Sequence, residues 1–168
     1  MLLRAAQPAD SDAVAWVHVR AWQRAYRELL PEEYRDALRP QDLAGQYTFG
    51  DPDPLRPSTI VATEAGTICG FATTGPSRDG DGEGSGEVLA LYVEPDRWGL
   101  GIGRALIEDA RRRLAQQGFA LASLWVLAGN GRAERFYRID GWAPDGARRP
   151  DEIGGMAVDE IRYRRCLA

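Results

Sequence analysis

Three glycines alternate with other residues in the stretch from Trp98 to Arg104, which reads WGLGIGR. An apolar, strand-like run precedes this stretch, and the apolar periodicity of an amphipathic helix follows it. The turn therefore places backbone N–H groups at the N-terminus of a helix, where the helix dipole is positive. Glycines lack the Cβ atoms that would keep a phosphate group at a distance. The sequence predicts an anion-binding loop at Gly99, Gly101 and Gly103.

The spacing of these glycines excludes two common nucleotide-binding motifs. In the dinucleotide fingerprint G-x-G-x-x-G, the third glycine would fall at Arg104 if the motif started at Gly99, and at Leu106 if it started at Gly101. A Walker A loop needs a lysine on the phosphates, and the chain contains no lysine. The predicted loop therefore belongs to another class of phosphate-binding protein.

The elements that must position this loop follow a simple order: strand, two or three helices, three strands, helix, strand, helix and two strands. Hydrophobic periodicity and turn residues give the strand boundaries. The strands are expected at residues 2–6, 59–64, 67–74, 87–93, 121–127, at one place after Trp142, and at 159–166. The first helix of this order is long, with Asp10 or Ser11 as its N-cap and an apolar stripe that continues to Leu29. Pro31 ends it.

Short helices are expected to start at Pro31 and after Pro40, because proline suits the first helical turn. Two further helices should follow glycine turns, one from the glycine loop to about Gln117 with Gly118 after it, and one from residues 129–131 to near Asp140.

The connections between strands predict a mixed sheet. Ala65-Gly66 is a hairpin turn, and the polar segment 75–86 is expected to be a mobile hairpin loop, so the first strands are antiparallel. Crossover helices flank the fifth strand, which is typical of parallel neighbours. This combination disfavours a doubly wound dinucleotide fold.

Composition restricts the class of protein further. The 168 residues carry a formal net charge of −4, so the arginine run 111–113 is interpreted as a solvated helix face and no nucleic-acid partner is predicted. No apolar run approaches the roughly 20 residues of a membrane span, and no leader segment is recognisable, so a single domain over residues 1–168 that works in the cytoplasm is expected. Cys69 and Cys166 are interpreted as reduced packing residues, and no metal site is predicted.

A second block lies one helix and one strand beyond the glycine loop. Residues 130–142 read NGRAERFYRIDGW. Together with the glycine loop, this block resembles the GNAT superfamily of N-acetyltransferases, whose signature there is Asn, Ala, an aromatic-Tyr pair, then Gly and an aromatic residue. Residues 59–142 carry the resemblance. It implies a single α/β (α+β) domain with a central mixed, mostly antiparallel, twisted sheet of about six to seven strands flanked by helices and splayed between the fourth and fifth strands.

The resemblance implies acetyl-CoA as co-substrate. The glycine loop would hold the diphosphate, main-chain groups of the fourth strand would bind the pantetheine arm, and the start of the later helix would contact the same arm. Trp98 departs from the Gln or Arg usual at its position, which is expected to alter packing or one side-chain contact without removing the site. The cofactor-binding residues implied in this way are Leu91, Val93, Trp98, Gly99, Leu100, Gly101, Ile102, Gly103, Arg104, Asn130, Ala133 and Phe136.

Two catalytic residues are implied by the same resemblance. Tyr137 matches the tyrosine that protonates the departing thiolate, a role that a phenol with a pKa near 10 can perform at pH 7. Glu87 matches a carboxylate at the start of the fourth strand and is the candidate base for the acceptor amine. Trp125 stands where other members carry a glutamate. A water chain without a dedicated carboxylate is the alternative.

The predicted function is transfer of an acetyl group from acetyl-CoA to a primary amine of a small molecule or peptide, by direct attack in a ternary complex. Trp22 and Tyr26 lie four residues apart on one helical face and are interpreted as walls of the acceptor pocket, with core packing as the alternative. A homodimer is possible through the final strands. The competing function is a catalytically weak or inactive acyl-CoA-binding sensor.

Overall fold

The computed structural model describes residues 1–53, 55–81, 84–153 and 156–167. Its strands are β1 Leu2–Ala5, β2 Ser58–Glu64, β3 Thr67–Pro76, β4 Gly86–Val93, β5 Leu121–Leu127, β6 Ala143–Ile153 and β7 Met156–Cys166. Its helices are α1 Ser11–Ala25, α2 Glu32–Asp36, α3 Pro40–Ala44, α4 Ile102–Gln116 and α5 Gly131–Ile139, with short 3₁₀ turns at Pro8–Asp10 and Pro95–Arg97. The predicted order of elements is confirmed.

All seven strands form one sheet in the order β1-β2-β3-β4-β5-β7-β6. Every neighbouring pair is antiparallel except β4 and β5, which run parallel and pair only through Gly86 with Ala122 and Glu87 with Ser123. The predicted mixed sheet is therefore confirmed. Because the parallel pairing ends after Glu87, the rest of β4 has no hydrogen-bonded neighbour on the β5 side.

Helices cover both faces of this sheet. On one face, α4 buries Ile102, Leu106 and Ile107 against the central strands. On the other, α1 buries Val14 and Val17 against β2 and β3. Among the described residues, no helix has both the length and the apolar character needed to cross a membrane.

Two local features differ from the sequence prediction. Helix α1 ends at Ala25, and a turn over residues 26–30 brings Leu30 rather than Leu29 into the core, where Leu30 is 4% exposed. Asp10 occupies the N-cap position, but its carboxylate does not cap the helix. The carboxylate instead accepts hydrogen bonds from Arg4 at 2.7 and 2.9 Å and from the backbone N–H of Gln7. Both of its oxygens are therefore engaged outside the helix.

The polar segment 75–86 also differs in part. Strand β3 continues to Pro76, and Arg78 and Asp79 are bonded to other elements. Gly82 and Glu83 lie outside the described residues. Of the two cysteines, Cys69 is buried as predicted, whereas Cys166 at the end of the last strand is exposed.

His18 packs on the inner face of α1, stacked on Tyr92 with ring centroids 4.3 Å apart and with Nδ1 2.6 Å from the hydroxyl of Tyr47. Desolvation by burial lowers the pKa of His18 from 6.5 to about 4. The unfolded chain therefore binds a proton on this imidazole at a higher pH than the folded chain does. Stability that is fully present above pH 6.5 should be lost as the pH falls from 6.5 towards 4.

We expect the protonation of this one residue to lower the free energy of unfolding by about 3 kcal/mol between pH 7 and pH 4. Urea unfolding of the native protein and of His18→Gln across this range measures the effect. The variant should show a shallower decline, and parallel declines in the two proteins would contradict the assignment to His18.

Candidate active site in the cleft between strands β4 and β5

The separation of β4 from β5 opens a cleft of about 1040 Å³. Its walls come from β4, β5, the loop before α4, the first turn of α5 and the end of α1. The residues that line it include Tyr26, Leu91, Tyr92, Val93, Trp98, Gly99, Gly101, Gly103, Arg104, Trp125, Leu127, Asn130, Arg132, Ala133, Phe136 and Tyr137. The fold thus brings both sequence blocks to one site.

The glycine loop forms one end of the cleft. Gly99 and Gly101 have φ angles of 83° and 86°, a left-handed conformation that residues with a Cβ seldom adopt. The first intrahelical hydrogen bond of α4 runs from the N–H of Ala105 to the carbonyl of Gly101 at 3.0 Å, so the N–H groups before Ala105 have no helical partner. A Cβ built at either glycine would meet no atom within 4 Å. The loop therefore fits a diphosphate.

Gly103 serves packing between helices. A Cβ there would lie 3.5 Å from two ring atoms of Phe136, so Gly103 lets α4 approach α5 closely. The side chain of Ile102 is 1% exposed and belongs to the core. Leu100 is exposed, and Arg104 pairs with Glu108 at 2.9 Å on the helix surface. Of these residues, Gly103 and Arg104 line the cleft, and the side chain of Ile102 does not.

Trp98 links the loop to strand β4. Its indole Nε1 donates to the carbonyl of Val93 at 2.8 Å. The guanidinium of Arg132, in the first turn of α5, lies 3.6 Å from the centre of the indole ring, and desolvation lowers the pKa of Arg132. These two contacts attach Trp98 to β4 and to α5. Sequence reasoning missed Arg132, although its place two residues after Asn130 was a usable signal.

Asn130 caps helix α5, because its Oδ1 accepts from the N–H of Ala133 at 3.2 Å. Its side chain is also hydrogen-bonded to the phenol of Tyr26 from α1. Burial raises the pKa of Tyr26 to about 12, and the negative charge of Glu160 adds to this effect. Asn130 therefore joins the two sides of the cleft.

Tyr137 lies inside the cleft with its ring against two aromatic neighbours. The ring centroids of Phe136 and Trp142 are 5.1 and 6.3 Å away, both in edge-to-face geometry. Desolvation by burial raises the pKa of the Tyr137 phenol above its ordinary value of 10. The phenol is therefore a proton donor, not a phenolate, throughout the neutral range.

The two residues predicted for the acceptor pocket are placed differently. Trp22 is 5% exposed and packs edge-to-face on Tyr26, with ring centroids 5.1 Å apart. This placement agrees with the core-packing alternative for Trp22. Tyr26 lines the cleft and Trp22 does not. Tyr26 alone is therefore available to a ligand, and Trp22 holds it in place.

Glu87 is buried where β4 and β5 still pair, with 1% of its surface exposed. Its Oε2 accepts from the backbone N–H of Arg78 at 2.9 Å and its Oε1 from the Arg78 guanidinium at 3.1 Å. The side chain does not line the cleft. Because both oxygens are engaged and the side chain is buried, Glu87 makes no direct contact with the cleft.

Trp125 occupies the β5 position where a glutamate was considered, and it lines the cleft. Its Nε1 donates to the two oxygens of Asp79 at 3.1 and 3.2 Å. The guanidinium of Arg149 lies 4.2 Å from the indole centroid. Arg162 binds Asp79 at 3.2 Å as well. The segment after β3 is thereby attached to β5 and β7.

Three features define the class of this protein. The mixed sheet separates at its parallel pair, free amides at the start of a helix line one end of the resulting cleft, and a buried phenol lies within it. This combination is that of an acyltransferase. The chain belongs to the Acetyltransferase (GNAT) family, whose family model matches residues 16–142. This finding confirms the superfamily, the fold and the class of enzyme predicted from the two sequence blocks. Acetyl-CoA as co-substrate is confirmed at the level of the family.

Curated relatives agree with this assignment. The uncharacterized N-acetyltransferase YuaI of Bacillus subtilis is 29% identical over 160 residues, which cover 95% of this chain and 89% of the relative. The mycothiol acetyltransferase of Kocuria rhizophila is 35% identical over 133 residues, which cover 78% of this chain but only 42% of the relative. The matched region is thus less than half of that longer protein.

Solved structures share the fold. PaiA N-acetyltransferase from Thermoplasma acidophilum, crystallised with coenzyme A, has a TM-score of 0.77 at 18% identity and 98% coverage of both chains. The ribosomal-protein-S18-alanine N-acetyltransferase of Escherichia coli has a TM-score of 0.71 at 21% identity, with 99% of this chain and 94% of that one covered.

Proposed function

We propose that the protein transfers the acetyl group of acetyl-CoA to a primary amine by direct attack, with both substrates bound at once. The observation that carries this proposal is the cleft itself, which has free amides at one end, a protonated phenol inside and Tyr26, the residue directly after α1, in its wall. Acetyl-CoA supplies an activated thioester carbonyl. The protein supplies binding, orientation and proton transfer.

The cofactor would be held mainly by main-chain groups. The N–H groups of residues 101–104 would bind the diphosphate, and the positive end of the α4 dipole would attract it. The unpaired edge of β4 beyond Glu87, with Leu91 and Val93, offers main-chain partners to the pantetheine arm as a neighbouring strand would. Asn130, Ala133 and Phe136 bound the other side of the same arm.

Tyr137 would protonate the leaving thiolate. As the C–N bond forms and the C–S bond breaks, a proton moves from the phenol to sulfur, and the phenol is restored by the proton that the acylated nitrogen gives up. The raised pKa of Tyr137 keeps the donor protonated until it is needed. The incoming ammonium loses one proton and becomes a neutral amine before this step.

A screen of amines tests the proposed activity. Because relatives and structural neighbours include mycothiol and ribosomal-protein-alanine acetyltransferases, the panel should contain spermidine, lysinamide, glucosamine and a peptide with an N-terminal alanine. Thiol release is followed with acetyl-CoA present, and cofactor binding is measured separately by calorimetry. Saturable binding without thiol release for any amine would favour the acyl-CoA sensor, and absence of binding would reject both functions.

Glu87 is proposed to accept the amine's proton through water, because no direct contact is open to it. If so, Glu87→Gln should flatten the acidic limb of kcat/KM against pH and lower the plateau by about tenfold. The pH profile with the best amine of the panel measures this. Arg78→Ala, which removes the guanidinium partner but keeps the carboxylate, is the matched control. An unaltered profile in Glu87→Gln would leave the water chain as the base.

A further inference from the structure

Glu160 lies in β7, directly across from a residue of the cleft wall. In β7 it pairs with Leu127 of β5, and Leu127 lines the cleft. Side chains alternate along a strand, and Tyr163 packs in the core beneath α4 and α5. Glu160 and Arg162 therefore face the opposite side, which is the α1 side of the cleft, together with Trp125 of the neighbouring strand.

The carboxylate of Glu160 is held in a defined position. The Nε of Arg149 donates to its Oε2 at 2.6 Å, and the same guanidinium lies over the indole of Trp125. Only 16% of the Glu160 side chain is exposed. Such a pair is strong because the hydrogen bond is charge-assisted and partly shielded from water. It fixes the carboxylate beside the cleft.

The charge of Glu160 affects the pKa values of two phenols that line the cleft. Desolvation is the main cause of the raised pKa of Tyr26 and of Tyr92; the negative charge of Glu160 adds to it at Tyr26 and is the smallest of the causes at Tyr92. Both tyrosines line the cleft, on α1 and β4 respectively. The field of Glu160 therefore reaches across the space between the two strands.

The charges around Glu160 are not balanced by its arginine partners. Within the described part of the chain, the ion-paired network on this face contains the carboxylates of Asp79, Asp81, Asp145 and Glu160 against the guanidiniums of Arg149, Arg162 and Arg164. One negative charge is in excess. A cationic ligand would complete the network, and an anionic one would be repelled.

We propose that Glu160 binds a second, non-reacting ammonium group of the acceptor beside the acetyl site and so selects acceptors that carry more than one positive charge. This inference rests on the proposed acetyl transfer and names its acceptor class. Glu160 acts here by binding and orientation. The proton is still removed as described for Glu87, so the two carboxylates have separable effects.

Glu160→Gln tests the inference, because glutamine keeps the shape and a hydrogen bond for Arg149 but removes the charge. Asp159→Asn is the matched control: Asp159 makes the neighbouring cross-strand ion pair, with Arg148 at 2.6 Å, and faces the other side of β7. Spermidine and lysinamide are the probes that carry more than one ammonium group, and glucosamine carries only the ammonium of the amine that reacts.

We expect Glu160→Gln to raise the KM of spermidine or lysinamide at least about tenfold, with kcat within about threefold and the KM of acetyl-CoA unchanged. Asp159→Asn should leave all three constants within about twofold. Equal effects of the two variants, or a loss confined to the KM of acetyl-CoA, would overturn the inference.

A binding measurement separates this inference from the proposed function. Calorimetry of spermidine with the CoA-loaded protein needs no turnover, and binding should be present in the native protein and in Asp159→Asn but lost in Glu160→Gln. Absence of thiol release with every amine would reject the enzyme activity. Absence of spermidine binding to the native protein, or its persistence in Glu160→Gln, would reject the role of Glu160.

Discussion

Tyr137→Phe is expected to lower kcat by about 100-fold or more while the affinity for acetyl-CoA stays within about twofold, because general-acid catalysis of this kind contributes 10²–10⁴. The substitution removes only the hydroxyl. The ring keeps its edge-to-face contacts with Phe136 and Trp142, so the cleft should retain its shape. Thiol release with the best amine and calorimetry with acetyl-CoA measure the two quantities.

Tyr26→Phe is the matched control for this prediction. Tyr26 is a second cleft phenol with a raised pKa, but it is hydrogen-bonded to Asn130 on the acceptor side. Its loss should change kcat by less than about tenfold. Equal losses in both variants would mean that Tyr137 has no special role as acid, and unchanged turnover in Tyr137→Phe would remove the assignment altogether.

The raised pKa of Tyr137 also sets an expectation for the pH profile. A donor must be protonated, and desolvation keeps this phenol protonated to a higher pH than a free tyrosine. The native enzyme should therefore show no fall in kcat that depends on Tyr137 between pH 7 and about pH 10. A Tyr137-dependent fall of kcat within that range, seen in the native protein and absent in Tyr137→Phe, would contradict this.

Gly101→Asp is expected to raise the KM of acetyl-CoA about 100-fold, equivalent to about 2.7 kcal/mol. Gly101 is the N-cap of α4 with a φ of 86°, and aspartate tolerates both the cap and, better than most residues, this conformation. The helix should therefore form. The new carboxylate would itself occupy the free N–H groups and would repel the phosphates. Steady-state kinetics and calorimetry with acetyl-CoA give the two affinities.

Gly118→Asp is the matched control, since Gly118 follows the same helix with a φ of 93° and equally open surroundings. It shares the backbone strain but lies at the far end of α4. Gly101→Asn isolates the charge, and its effect should be intermediate. An acetyl-CoA affinity that is the same in Gly101→Asp and Gly118→Asp would show that the diphosphate does not bind at this loop.

Much of the cofactor side could be predicted from the chain without its structure. Each local feature of this side depends on residues within four positions of one another, so it can be predicted from a short stretch of sequence. These features are the left-handed glycines, the start of α4 and the Asn130 cap. The same holds for the Ala65-Gly66 hairpin and for the end of α4 before Gly118. Their boundaries agree with the structure to within a residue or two.

The acceptor side could not be predicted in this way. The pairing of Trp125 with Asp79 spans 46 residues, and that of Arg162 with Asp79 spans 83. Glu87, a candidate base implied by the family resemblance, is buried against Arg78, while Glu160 gave no signal in the sequence. Which carboxylate faces a ligand depends on strand register and on the partner that each charge finds.

The chain therefore encodes its glycine loop, its helix caps and its family signature in short segments, because backbone conformation and hydrogen bonds between near neighbours define them. The shape and charge of the acceptor pocket arise only when β4 parts from β5 and β7 brings Glu160 beside Leu127. Burial and ion pairing then determine which of the many carboxylates remain available, and these are properties of packed surfaces rather than of sequence spacing.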